Sequence, residues 1–192
     1  MTKNEELFSR ALAFVKEKHA GKVRAGNDPT WHHLYRVART LEMTLREYDE
    51  GDARTRDLLP VAALGHDVLE DTDATEHEVR SVFGDEGYEI IWGMTNEWGD
   101  DHVGPYIEKV VTAAEPVRLV KLSDLYDNIS NVLFCFPILG EEWTRSYFLP
   151  IVTPMRERIT QTDFSKFPKT AAELKRAVEK SATLLDERMH GY

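Results

Sequence analysis

The stretch from Leu58 to Thr72 constrains this chain more than any other. Leu58 to Leu64, with Val61, Ala62 and Ala63 between, is apolar enough for a buried helix, and it runs straight into Gly65-His66-Asp67-Val68-Leu69-Glu70-Asp71. Read as one helix from Arg54 to about Leu69, with the motif near its C-terminal end, it stacks His66 with Glu70 and Asp67 with Asp71, because residues four apart share a face. Such a helix presents an imidazole and three carboxylates within about one and a half turns. Unpaired buried charge costs several kcal/mol per ion, so the cluster requires a cation, a cavity with water, or both.

The remaining apolar spacing is helical. A first helix runs from a cap at Asn4 to about Ala20, with Leu7, Ala11, Phe14 and Val15 as its stripe, and residues 21–29 form a polar loop. The second, from Trp31 to Tyr48, buries Val37, Leu41 and Leu45. Thr75 and Glu78 have the spacing of a capping box for a helix that ends at Gly84. Asp85 to Thr95 follows, then a polar loop over 96–105, and a helix from Tyr106 to Ala114. Pro116 opens a long apolar helix to about Phe136, which Pro137 and Gly140 close. Trp143 to about Thr160 is bent by Pro150 and Pro154. The last helix begins at Thr170 and carries Leu174, Val178, Ser181 and Leu185. Trp92 and Trp143 read as core. No alternating strand pattern interrupts this series, so the expected fold is all-α, one helical bundle over residues 1–192, completed by helices within 141–190.

A net charge of −10, from 24 basic and 34 acidic residues, argues against a nucleic-acid or anionic-membrane binder. The single cysteine, Cys135, lies in an apolar run and reads as a buried thiol suited to a reducing compartment. The N-terminus lacks the apolar core of a signal peptide, and no run approaches the roughly 20 apolar residues of a membrane span. The expected location is cytoplasmic, and a homo-oligomer is compatible with the sequence.

Histidine and carboxylate ligands suit Mn²⁺, Fe²⁺, Zn²⁺ or, with more oxygens, Mg²⁺. The candidates are His33, His66, Asp67 and Asp124, the last set between Leu122 and Leu125 in the long apolar helix. Spacing alone leaves simpler readings open: a salt bridge from Asp124 to Lys121, and a helix-end hydrogen-bond pair at His66-Asp67.

In order and context these residues resemble the H…HD…D pattern of HD-domain phosphohydrolases. The RelA/SpoT-type hydrolase domain and the small alarmone hydrolases, including the metazoan SpoT homologue, are the nearer likeness. His19-Ala20-Gly21-Lys22-Val23-Arg24, Pro29 to His33, and Ala62 to Thr72 with its added Glu70-Asp71 pair all match segments of that family. So do Phe83-Gly84, Gly93-Met94-Thr95 and Val120 to Asn128, and together the matches span roughly residues 10–135. The resemblance implies one Mn²⁺ per chain held by His33, His66, Asp67 and Asp124, with His33 preferred to His32. It implies Glu70 and Asp71 as the pair that positions and deprotonates the attacking water, Arg24 and Asn128 as nucleotide contacts, and Lys121 as a partner of phosphate or of a neighbouring acid. His19 falls near the pocket in a structural role.

The substrate so implied is guanosine 3′,5′-bis(diphosphate), cleaved to GDP and pyrophosphate. This chain departs from the pattern at Ala25 and Leu125, where the family carries basic residues, and at Asn131 and Gly65. The missing cations keep two alternatives in view: hydrolysis of another nucleotide, such as NADPH or a nucleoside phosphate, and a non-catalytic helical module with a vestigial site.

Overall fold

The computed structural model describes residues 3–99 and 102–191, and the side chains of these from residue 5 onward. Nine α-helices account for most of them: α1 (Lys3–Lys18), α2 (Thr30–Tyr48), α3 (Ala53–Leu64), α4 (Val68–Asp71), α5 (Glu76–Met94), α6 (Val103–Thr112), α7 (Glu115–Trp143), α8 (Leu149–Ile159) and α9 (Pro168–Met189). The described residues contain no strand beyond one isolated bridge between Val23 and Pro29. The all-α expectation therefore holds. The cap expected from Asn4 lies outside the described side chains.

Helix α7 is the central element. It packs against α9 on one side and α2 on the other, while α3 packs against α2 and α5. Leu34, Leu41 and Leu45 of α2, Leu59 and Leu64 of α3, Ile91 of α5 and Leu119 and Leu122 of α7 are buried at the junction. Each such side chain contributes about 1.5–3 kcal/mol by leaving water.

Local chemistry explains several boundaries. Asp52 accepts the Thr55 N–H at the start of α3. Thr75 and Glu78 form the expected capping box on α5, and Lys18 reaches across from α1 to Glu78 at 2.9 Å. Gly84 (φ 72°, ψ 172°) kinks α5 where the sequence places a helix end. No helix among the described residues is long and apolar enough to cross a membrane.

Trp92, read as core, is 38% exposed, and three expectations about helix boundaries need correction. The third helix does not continue to Leu69: it stops at Leu64, and Gly65 to Asp67 forms a turn before the short α4. His66 and Glu70 consequently do not stack on one helix. Gly65 caps α3, and its place against α5 is tight. A Cβ on Gly65 would sit 2.7 Å from both Ile91 and Phe83, so this position approaches α5 too closely for a side chain. Second, α7 passes through Pro137 and breaks only at Gly140 (φ 78°), because Pro137 lies among exposed residues such as Phe134 and Ile138. Third, Trp143 to Phe148 is not a plain α-helical start. Residues Thr144–Phe148 make a wide π-type turn that feeds α8.

Candidate functional site

The turn after α3 delivers His66 and Asp67 toward two helices that cross behind it. His33 comes from the first turn of α2 and Asp124 from the middle of α7. The His33 Nε2 lies 3.2 Å from Asp124 and 3.6 Å from Asp67. The His66 Nε2 lies 3.1 Å from Asp67 and 3.4 Å from the same Asp124 oxygen. Ligand-type atoms of His33, His66 and Asp124 fall within 4.8 Å of one another, and all three residues are buried. Residues drawn from α2, the turn after α3, and α7 thus meet at one point.

The other nitrogen of each ring fixes which atom carries the proton. His66 Nδ1–H donates to the Ala63 carbonyl at 2.7 Å, and His33 Nδ1–H donates to Asp127 at 2.7 Å. Both Nε2 atoms then offer lone pairs, and neither has a hydrogen-bond partner. With lone pairs on both nitrogens the two carboxylates repel them unless a positive charge, a proton or a metal ion, lies between. The donor set fits a divalent metal, and a metal-ligating histidine characteristically donates its second N–H to a carboxylate or carbonyl. Burial pushes His66 down, but with no metal at the cluster Asp67 and Asp124 overcome it and lift the ring to about 9, so a metal ion binding there displaces a proton from Nε2. Asp124 is held well below the ordinary carboxylate range against its burial, chiefly by Lys121 at 2.8 Å and by the two imidazoles.

His32, the neighbour of His33, points away and pairs with Asp28. Sequence reasoning missed Asp127 and Arg36. Arg36 grips both oxygens of Asp127, at 2.7 and 3.0 Å, and reaches Asp28 at 2.9 Å. The available signal was a pair of three-residue spacings on facing helices, His33 to Arg36 and Asp124 to Asp127.

In front of the cluster opens a cavity of ≈ 260 Å³ lined by Asp67, Glu70, Asp71, Asp124, Tyr106 and Lys121 among others. Burial drives the Glu70 carboxyl up to about 7, against a 2.7 Å hydrogen bond from the Asn96 N–H, and the charge of Asp67 adds to the rise. Asp71 is raised for the same two reasons, burial first and then Asp67. His19 is buried, donates Nδ1–H to the Val15 carbonyl at 3.0 Å and stays neutral as burial lowers it.

Arg24 and Asn128 form the waist of the cleft. The bridge of Val23 to Pro29 and the Arg24 N–H to Asp28 carbonyl bond, 2.8 Å, anchor the loop that carries Arg24. Arg24 donates to the Asn128 side-chain oxygen, and Asn128 donates to Asp124 at 2.7 Å. Beyond them a second chamber of ≈ 420 Å³ is walled by Val132, Leu139, Trp143, Tyr147, Phe148 and Ile151. Trp143, expected in the core, is instead 36% exposed and lines this chamber from the last turn of α7. All nine candidate site residues therefore gather along one cleft or its floor.

No family model matches the chain. Among curated relatives it is 31% identical over 133 residues to a guanosine-3′,5′-bis(diphosphate) 3′-pyrophosphohydrolase of Aquifex aeolicus, which covers 66% of this chain and 18% of that protein. It is 33% identical over 138 residues to the GTP pyrophosphokinase rsh of Brucella ovis, covering 67% of this chain and 17% of that one. The chain thus spans less than a fifth of these longer relatives. The zebrafish (Danio rerio) guanosine-3′,5′-bis(diphosphate) 3′-pyrophosphohydrolase MESH1 is 30% identical over 136 residues, 68% of this chain and 70% of that protein. A solved metazoan orthologue of SpoT, described as hydrolysing ppGpp and acting in starvation responses, superposes with a TM-score of 0.73 at 22% identity, covering 96% of both chains. With the shared fold, and with a relative of matching length at this identity, the chain belongs to the HD-domain hydrolases of the RelA/SpoT type.

Proposed function

We propose that the protein is a Mn²⁺-dependent pyrophosphohydrolase that removes the 3′-pyrophosphate of guanosine 3′,5′-bis(diphosphate), giving GDP and pyrophosphate. The observation that carries this reading is the pair of unpartnered Nε2 atoms of His33 and His66 facing Asp67 and Asp124, with Glu70 and Asp71 on the same cavity wall. A relative of matching length bears that activity in its name. A bound divalent ion supplies a lowered water pKa and charge neutralisation of the phosphate.

The chain's own groups do the rest. Glu70, in its ionised form, accepts the proton of the water that attacks the phosphorus joined to the 3′-oxygen. The bond from that phosphorus to the 3′-oxygen breaks, and the acidic pair returns a proton to the leaving oxygen. Lys121 holds Asp124 in its ionised form. Arg24 and Asn128 orient the nucleoside at the waist of the cleft.

A second reading, hydrolysis of another nucleotide such as NADPH or a nucleoside phosphate, draws support from Ala25 and Leu125, which place no charge on the wall. A panel of phosphorylated nucleotides with Mn²⁺ separates the two. The expected result is pyrophosphate from the guanosine bis(diphosphate), with Asp67→Ala and Glu70→Ala reducing the rate by roughly 10²–10⁴. Orthophosphate from NADPH with the alarmone untouched would favour the second reading. Absence of stoichiometric metal from the purified protein would point to a vestigial site.

A further inference from the structure

We infer that Lys109 is a positioning residue for the hydrolytic step: it grips the peptide between Thr95 and Asn96 so that the Asn96 N–H stays aimed at Glu70, and it does so without touching substrate. This deepens the hydrolase reading above, with Glu70 as the base, and rests on it.

One peptide unit connects the two side chains. On one side Lys109 Nζ donates to the Thr95 carbonyl at 3.0 Å. On the other the Asn96 N–H donates to Glu70 Oε2 at 2.7 Å. The carbonyl and the N–H belong to the same trans peptide, so they point in opposite directions. A cation at the carbonyl oxygen draws the amide toward its charge-separated form, and the N–H becomes a stronger donor. Asn96 and Glu70 line the cavity and Lys109 does not. The groups that face Glu70 there are Asp67 and Asp71 from its own segment, Asp124 and Lys121 from α7, Tyr106 from α6, and Arg24. Three of them are carboxylates that repel its charged form, so a donor fixed from behind decides where the charged oxygen rests.

Lys109 is itself held from several sides. Its ammonium pairs with Glu97 at 2.9 Å, sits 4.5 Å from the centre of the Trp92 ring and lies 5.8 Å from that of Trp98. The side chain is largely buried by these contacts. The Trp98 N–H closes the turn onto the Asn96 side chain at 3.0 Å, and the Thr95 hydroxyl bonds back to the Ile91 carbonyl at 3.0 Å. Residues 95–98 are thus strapped between α5 and α6 through one ammonium. The half-exposed Trp92 has a place in this arrangement, since an indole face attracts a cation and limits where it can move. A neutral side chain at 109 leaves the Thr95 carbonyl without its donor and the strap without its centre.

The test follows turnover of guanosine 3′,5′-bis(diphosphate) with Mn²⁺ in the native protein, in Lys109→Met, which keeps the packing on Trp92, and in Lys109→Arg, which keeps the charge and the donors. Lys109→Met is expected to lower kcat roughly tenfold with KM within about twofold of native, as loss of alignment at the reacting centre does. Its acidic limb in the kcat–pH profile moves up by about half a pH unit or more, because a weaker donor to the charged form raises the Glu70 carboxyl. The midpoint of that limb does not depend on how much of the variant folds. Lys109→Arg restores kcat to within about threefold. In a Glu70→Gln background, Lys109→Met has less than about a twofold further effect, since the two residues act as one unit. An unmoved limb, or a loss of kcat that multiplies in full with that of Glu70→Gln, overturns the inference and leaves the hydrolase reading intact. No turnover by the native protein removes the hydrolase reading, and this inference with it.

Discussion

A single carboxylate, Asp127, sets the chemistry of its neighbour. It holds the His33 ring in the tautomer whose Nε2 faces the cluster, and Arg36 keeps it from rotating away. Asp127→Ala should weaken metal binding about 10–100-fold with the fold intact, as other losses of such supporting partners do, and competition with a chelator measures it. Glu70 carries a second residue-level consequence. A base must be ionised, and its carboxyl is raised to about 7, so activity should climb as pH rises through that region and level off above it. A cation in the adjacent cluster favours the charged form and places the limb at or below that value. An acidic limb of the kcat–pH profile that is unchanged in Glu70→Gln would exclude Glu70 as the base. Glu70 was legible in the sequence because its spacing from His66-Asp67 matched a known pattern. Asp127 was not, because an acid beside Asn128 on a helix looks solvated until α2 is known to face it.

Among the elements, legibility followed distance along the chain. The capping box at Thr75 and Glu78 and the kink at Gly84 depend on neighbours within a few residues, and the sequence announced both. The break after Leu64 comes at Gly65, where Phe83 and Ile91, some twenty residues on, leave no room for a side chain, and that crowding is invisible until α5 is in place. That break turns Asp67 toward His33. Gly65→Ala should therefore cost about 1–3 kcal/mol in chemical denaturation, as overpacking does, and also loosen metal binding by displacing His66 and Asp67. Loss of stability without loss of metal would mean that the turn adapts. The aromatic wall escaped notice for a related reason. Trp143 reads as a core residue from its type alone, and it faces the cleft because the end of α7 meets the start of α8 there.

On the scale of the whole molecule, the His–Asp cluster draws on α2, the turn after α3, and α7, so occupancy by a metal ion should stabilise the fold. A ligand at a hundred times its dissociation constant adds about 2.7 kcal/mol, which for a chain of this size is a rise of about 5–10 °C in Tm. Differential scanning calorimetry with Mn²⁺ and with chelator measures the difference, and Asp124→Asn should abolish it. The all-α architecture was plain from helical spacing and the lack of alternation, but the assembly of one cleft from the loop of Arg24, α4, α6, α7 and α8 was not. The wide turn at Thr144–Phe148 has a bearing on descent as well as on shape. A turn of this kind absorbs one extra residue, so the segment after Gly140 can lengthen, shorten or change its side chains without rotating Asp124, Asp127 or Asn128 on α7. Mutation can thus retune what the far end of the cleft accepts while the hydrolytic end is inherited unchanged.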